Sequence, residues 1–316
     1  MRSRRRPAPD TDRRTARARL REPLTRWMFL APAGVYLALF FGYPVVENVV
    51  MSFRQYTATT FYTGAAPYVG LRNYADVLAS DLFTKALVTT VLFTAGSLAG
   101  QFALGLALAL FFRRRFPLSG VLRSLLLLPW LMPLAVSGAT WRSMLDTDTG
   151  VVNDALRHLH LVSSGVPWLT GTSQALVSVV LVNVWVGVPF NTAILYGGLL
   201  DIPPQLYEAA RIDGAGPVTT FRHVTWPLLR PVAGVVLVLG VMYTLRVLDV
   251  VLVVTGGGPA DATETLATRS YELSFRQFEF GRGAATGNVL IVVSLACALL
   301  HLRVDRRARL GREAVR

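Results

Sequence analysis

The sequence predicts an all-α membrane protein with six transmembrane helices and both termini on the cytoplasmic side. Three observations carry this. Of 316 residues, 16% are charged and 53% hydrophobic, whereas a soluble domain carries about 25% charged residues. The apolar residues gather into six runs, each long enough to cross a bilayer core, which takes about 20 residues as a helix. The basic residues gather in alternate connections between those runs.

The runs cover residues 27–51, 86–112, 121–141, 174–200, 229–254 and 284–302. Pro44, Pro129, Pro133 and Pro189 lie inside them. Neighbouring helices can satisfy the carbonyls that proline frees, so a kinked helix is expected at each. A membrane barrel would alternate polar and apolar residues in segments of about ten. Residues 104–112 read LGLALALFF and are apolar all round, which fits a helix in lipid.

The net charge is +13, and Lys85 is the one lysine among 32 basic residues. Ten arginines precede position 27. Arg113, Arg114 and Arg115 follow the second run, and Arg123 opens the third. Arg211, Arg222 and Arg230 lie in or beside the connection after the fourth, and six more arginines end the chain. The opposite connections hold eight basic residues, and Arg246 falls inside the fifth run. Basic residues collect on the cytoplasmic face, so the arrangement places both ends there. The basic excess is thus a topology signal, and nucleic acid is not an expected partner. Residues 1–26 carry prolines and no apolar periodicity and are expected to be a disordered basic tail. Residues 27–303 form the membrane domain, and residues 304–316 a second basic tail. No small-residue cleavage site follows the first run, so a removed signal peptide is not expected.

Catalytic signatures are missing. A phosphate-binding Gly-Lys-Ser/Thr loop is excluded, because Lys85 follows Thr84. The chain has no HExxH, GxSxG or GxGxxG, and Cys297 is its one cysteine. His158 and His160 lack a third ligand at metal spacing. Neither a metal nor a catalytic set is expected, which leaves transport or signalling.

The connection at residues 201–231 reads DIPPQLYEAARIDGAGPVTTFRHVTWPLLRP. Pro203 and Pro204 suit the start of a short helix to Ile212. Gly214, Gly216 and Pro217 break it, and Val218 to Val224 suits a second short helix before Pro227. The result is a helix–Gly–helix elbow able to dock in a cleft of a soluble partner.

These residues resemble a family. Glu208, Ala209, Ala210 and Gly214, with Pro227 at the expected distance, match the Glu-Ala-Ala motif of permease subunits in binding-protein-dependent ABC importers. Val224 stands for Ile and Trp226 for Leu, the latter a departure bearing on how the second short helix packs. VGLRNYADVL at 69–78, TGGGP at 255–259 and the following ATETLA are similar to the sugar-permease branch, maltose-permease-F-like. The resemblance implies the type I importer permease fold in a bacterial inner membrane. It implies a second, different permease subunit, an external solute-binding protein, and two cytoplasmic ATPases that use ATP and Mg, with no cofactor on this chain. It assigns Glu208, Ala209, Ala210, Asp213, Gly214 and Pro227, within residues 201–228, to ATPase coupling. It makes Gly256, Gly257, Gly258 and Pro259 a contact for the binding protein, with plain connection as the alternative.

Polar groups inside apolar runs are costly and face the bundle interior. Asn183, Trp185 and Asn191 lie in the fourth run, Tyr243, Arg246 and Asp249 in the fifth, and Asn288 in the sixth; Gln101 lies in the second. Amides and a guanidinium bond hydroxyls, and aromatic rings cover apolar sugar faces, so the set suits a sugar pathway. Interhelical hydrogen bonding is the alternative. Arg246 and Asp249 stand three apart, and are expected to pair on one helix face as a structural or gating element. Two rival functions stay open: an importer of a phosphorylated polyol such as glycerol phosphate, and an ion-coupled secondary carrier. The latter would show an internal repeat and buried titratable groups, and the chain shows no repeat.

Overall fold

The computed structural model describes residues 30–114 and 116–313. The expectation for residues 1–26 falls outside them. By its contacts the chain divides into two units, residues 1–51 and 52–316. The described part of the first is an apolar helix, α1 (Leu30–Ser52), which runs one residue into the second.

The second unit is helical; among the described residues its only extended pairing is an isolated bridge, Arg54 to Tyr68. Two short helices, α2 (Ala58–Thr63) and α3 (Arg72–Leu78), precede the long α4 (Asp81–Phe112). Then come α5 (Ser119–Leu131), α6 (Leu134–Met144), the short α7 (Val151–His158) and the long α8 (Thr172–Leu200). The elbow helix α9 (Pro204–Ile212) leads to α10 (Pro217–Thr244), followed by α11 (Asp249–Val254), α12 (Leu266–Tyr271) and α13 (Phe280–Glu313). Among the described residues, five helices are long and apolar enough to cross a membrane: α1, α4, α8, α10 and the Phe280–Leu299 part of α13. The bent pair α5–α6 supplies a sixth if counted as one span.

That pair is a correction. A kinked helix is expected over 121–141, but α5 and α6 meet at 96° across a break. The cause is local. A residue before proline is driven out of the helical region, and Met132, before Pro133, sits at φ −77°, ψ 143°. Pro189, by contrast, lies inside α8 without interrupting it. Pro44 and Pro227 are accommodated a third way. In each case the preceding residue donates its N–H five residues back, Tyr43 to the Ala38 carbonyl and Trp226 to the Phe221 carbonyl. The widened π turn falls where the proline ring would meet a carbonyl.

The elbow and the fifth run are each corrected once. The second short helix of the elbow is no separate element: residues from Pro217 continue through a π turn (Phe221–Thr225) into α10. At the far end the helix stops at Thr244 and resumes at Asp249. Trp226, the motif's departure, packs edge-on against Phe102 at 6.4 Å and tilted against Phe221 at 6.3 Å.

The α4–α8 seam organises the interior. Gly96 and Gly100 stand one turn apart on α4 and face Val180 and Val184 of α8. Small residues at this spacing let membrane helices approach closely. Above and below lie apolar clusters, one around Phe93, Val179, Val182, Val250 and Val254. The other holds Ala109, Leu195, Leu199, Ile202, Leu229 and Val236. Asn73 in α3 is buried and donates to the carbonyls of Ser52 (2.9 Å) and Arg54 (2.8 Å), so it secures a connection.

Candidate functional site: a polar cavity and an exposed elbow

A cavity of about 580 Å³ opens where the two helix breaks converge. The break between α5 and α6 contributes Trp130, Met132 and Leu134; the segment between α10 and α11 contributes Arg246, Val247, Leu248 and Asp249. The remaining wall comes from α4, α8 and α10. Gln101, Asn183, Asn191, Tyr243, Arg246 and Asp249, all singled out from sequence, line it together.

The polar groups differ in how they are held. Gln101 Nε2 donates to the Asn183 carbonyl at 2.9 Å, and Asn191 Nδ2 to the Gly187 carbonyl at 2.9 Å. Asn183 is 4% exposed, and its Nδ2 has no hydrogen-bond partner among the described residues. A buried unpaired donor costs about 1–3 kcal/mol; the amide nitrogen is itself closed to solvent, so an acceptor reaches it only when the cavity wall moves. Aromatic rings form an apolar wall: Trp130 stacks on Phe190 at 5.7 Å, and Phe190 meets Tyr243 edge-on at 6.1 Å.

Arg246 and Asp249 form no ion pair among the described residues, which corrects the expected pairing. The helix that would bring them to one face ends before them. Arg246 Nε instead donates to the Met242 carbonyl at 3.0 Å, and Asp249 stands in the first turn of α11, where a carboxylate opposes the positive helix end. Both side chains are exposed.

Two of the singled-out residues lie elsewhere. Trp185 meets Trp141 edge-on at 5.7 Å. Asn288 Nδ2 donates to Tyr74 Oη at 3.1 Å, and that hydroxyl shares a 2.8 Å bond with Ser52 Oγ. Trp130 and Phe190 line the cavity without having been singled out; the one cue was their position beside Pro129 and Pro189.

In the elbow, Gly214 at φ +73° caps α9. Gly214 N–H donates to the Arg211 carbonyl (3.0 Å) and Ala215 N–H to the Ala210 carbonyl (2.9 Å). This paired closure satisfies carbonyls at the helix end. Glu208, Ala209, Asp213, Gly214 and Pro227 are exposed, and Ala210 is buried. Ile212 and Val218 are 87% and 80% exposed, apolar surface at the elbow tip that the motif did not include.

The connection after α11 is tightly folded. Thr263 Oγ1 donates to the Gly258 carbonyl at 2.8 Å and lies 2.7 Å from Thr255 Oγ1. Gly256 and Gly257 hold φ of +68° and +91°. Gly257 is buried, Gly258 and Pro259 half-buried and Gly256 exposed; the tip is completed by Ala260 and Asp261. Behind it Glu264 is buried 3.6 Å from Arg269. Burial pushes its carboxyl up from the ordinary range, and the nearby Arg269 opposes this.

Apolar helices of membrane-spanning length around a polar cavity, with an exposed elbow, define a multi-pass membrane protein of the solute-passage class. The chain belongs to the family of binding-protein-dependent transport system inner membrane components, whose model matches residues 101–310. It is 34% identical over 295 residues to the trehalose/maltose transport system permease protein of Thermococcus litoralis, covering 93% of this chain and 98% of that one. It is 32% identical over 292 residues to the sulfoquinovosyl glycerol transport system permease protein of Agrobacterium fabrum, covering 89% and 94%. It shares its fold with a chain of a bacterial ABC transporter that imports the acidic polysaccharide alginate, at a TM-score of 0.79 and 22% identity, covering 92% and 99%. This is the type I importer permease fold, and members are the non-catalytic membrane components of their transporters.

Proposed function

We propose that this chain is the transmembrane permease subunit of an ATP-driven importer, and that its cavity passes a sugar or oligosaccharide delivered by an external binding protein. The carrying observation is the cavity itself. Its volume lies in the range of about 300–1,000 Å³ that small-molecule sites occupy. Trp130, Phe190 and Tyr243 offer ring faces, while Asn183, Asn191, Arg246 and Asp249 offer donors and acceptors. That mixture suits a ring with hydroxyls at its edge and C–H groups on its face. The permeases of Thermococcus litoralis and Agrobacterium fabrum, named for sugar-containing cargo, support the reading.

The arginine distribution supports six spans, with α5–α6 as the broken third, and both termini in the cytoplasm of a bacterium. On that side α9 and the start of α10 dock into a cleft of one of two ATPases, which bind ATP and Mg. Glu208 faces a basic group there, and Ile212 and Val218 bury their apolar surface. A second permease subunit completes the pathway, and the 256–261 turn meets the binding protein. Trp185 and Asn288 support the cavity helices rather than touching solute.

One observation favours a second reading, a phosphorylated polyol as cargo: Arg246 lies in the cavity wall without a carboxylate partner among the described residues. Uptake into vesicles holding the complete importer decides between them. Arg246→Gln should spare a neutral sugar, while selective loss of glycerol phosphate uptake would install the second reading. Equal loss of both cargoes sinks that second reading.

A further inference from the structure

Arg113 lies just beyond the last turn of α4, and its guanidinium carbon sits 3.7 Å from the centroid of the Tyr207 ring on α9. Tyr207 Oη shares a 3.2 Å hydrogen bond with Thr225 Oγ1, and Thr225 is buried in the π turn of α10. The same ring packs against the apolar cluster of Ala109, Leu199, Ile202 and Leu229. One half-buried side chain of the elbow therefore touches the end of α4 and the start of α10.

Both helices run on to the cavity. Gln101 lies twelve residues up α4 from Arg113, roughly 18 Å along the axis at 1.5 Å per residue. Tyr243 and Thr244 lie at the far end of α10. We propose that Tyr207 is a positioning residue that transmits displacement of the elbow to α4 through Arg113 and to α10 through Thr225. This rests on the elbow being the ATPase docking site. The chemistry suits the task. A planar guanidinium over a ring face fixes both orientations, and tyrosine has few rotatable bonds through which motion is lost. Glu208 and Ala209 face outward to receive the push; Tyr207 faces the membrane domain to pass it on.

The test uses the complete importer in vesicles, with uptake and ATP hydrolysis read on the same sample. Arg113→Ala should leave the ATPase bound and hydrolysing. Solute taken up per ATP should fall roughly two- to tenfold, the weight of one cation–π contact. Tyr207→Phe keeps the ring and loses the Thr225 bond, and should lower the same ratio less. Arg114→Ala, at the exposed neighbouring position, should keep the wild-type ratio. An unchanged ratio in Arg113→Ala overturns the proposal. So does loss of ATPase binding with a normal ratio in the complexes that remain, since Arg113 would then serve docking alone. If the alanine variant does not reach the membrane, Arg113→Gln is judged by the same ratio. Wild-type vesicles with no ATP-driven uptake would overturn the importer reading itself, a result distinct from a variant with an unchanged ratio.

Discussion

Replacing Gly100 with alanine sets two effects against each other. A Cβ at Gly100 would stand 2.7 Å from Val184 Cγ2 and 3.2 Å from Cγ1. Carbon atoms rest at about 3.5–4.0 Å, so the seam falls short by roughly 1 Å. Valine is stiff at χ1 and cannot swing aside, so α4 and α8 must part. Overpacking of this kind costs about 1–3 kcal/mol, while alanine gains about 0.8–1.0 kcal/mol over glycine in helix propensity. The net expectation is a loss of about 0–2 kcal/mol. Gln101 follows directly and bonds to the Asn183 carbonyl, so parting the seam also loosens the cavity wall. Thermal unfolding of the purified complex would compare Gly100→Ala, Val184→Ala and the double variant. Val184→Ala removes the two methyl groups in the way, so the double variant should recover stability lost by Gly100→Ala, with coupling of about 1–2 kcal/mol. Additive effects would refute the argument, because they mean the helices do not meet there.

Three further outcomes are expected. A Cβ at Gly214 would meet nothing within 4 Å, so substitution there acts through backbone conformation alone; Gly214→Asn should retain more uptake than Gly214→Ala, since Asn tolerates a left-handed φ at less than the roughly 1–2 kcal/mol charged to other residues. The reverse order in a vesicle uptake assay would count against the cap. Asn183→Ala should lower affinity for cargo in the cavity while leaving protein stability unchanged or raised, since it removes an unpaired buried amide; a marked drop in melting temperature would show the amide to be structural. Glu264 has a folded pKa above its unfolded one, so its contribution is fully present below the unfolded value and is lost as pH rises through the folded one. Glu264→Gln should therefore come closest to wild type below the unfolded value and gain on it in melting temperature as pH rises; a variant that loses ground only as pH rises would show that the Arg269 contact outweighs burial.

The sequence made the six apolar runs plain, because length and lack of charge suffice to mark a helix in lipid. What proline does inside such a run was not legible. Pro133 breaks a helix and Pro189 does not: Met132 turns extended before its proline, whereas the chain stays helical through Pro189. The pairing of Arg246 with Asp249 failed because the helix face that would join them ends at Thr244. In the cavity, polar residues stood out against apolar surroundings, whereas Trp130 and Phe190 did not, since an aromatic in an apolar run carries no sign of which way it faces. Asn288 stood out equally, yet it bonds Tyr74, which lies 214 residues earlier, a partner no local pattern supplies. In the elbow the motif residues were legible by spacing, while the contact of Arg113 with Tyr207 joins segments almost a hundred residues apart in the chain.

The most direct test of the importer reading is uptake of labelled sugar by vesicles holding this chain with its co-purified partners and binding protein, with ATP supplied or withheld. An ATP-driven importer predicts uptake that requires ATP and is indifferent to an imposed ion gradient. Uptake that persists without ATP and follows the gradient would contradict it and point to a secondary carrier.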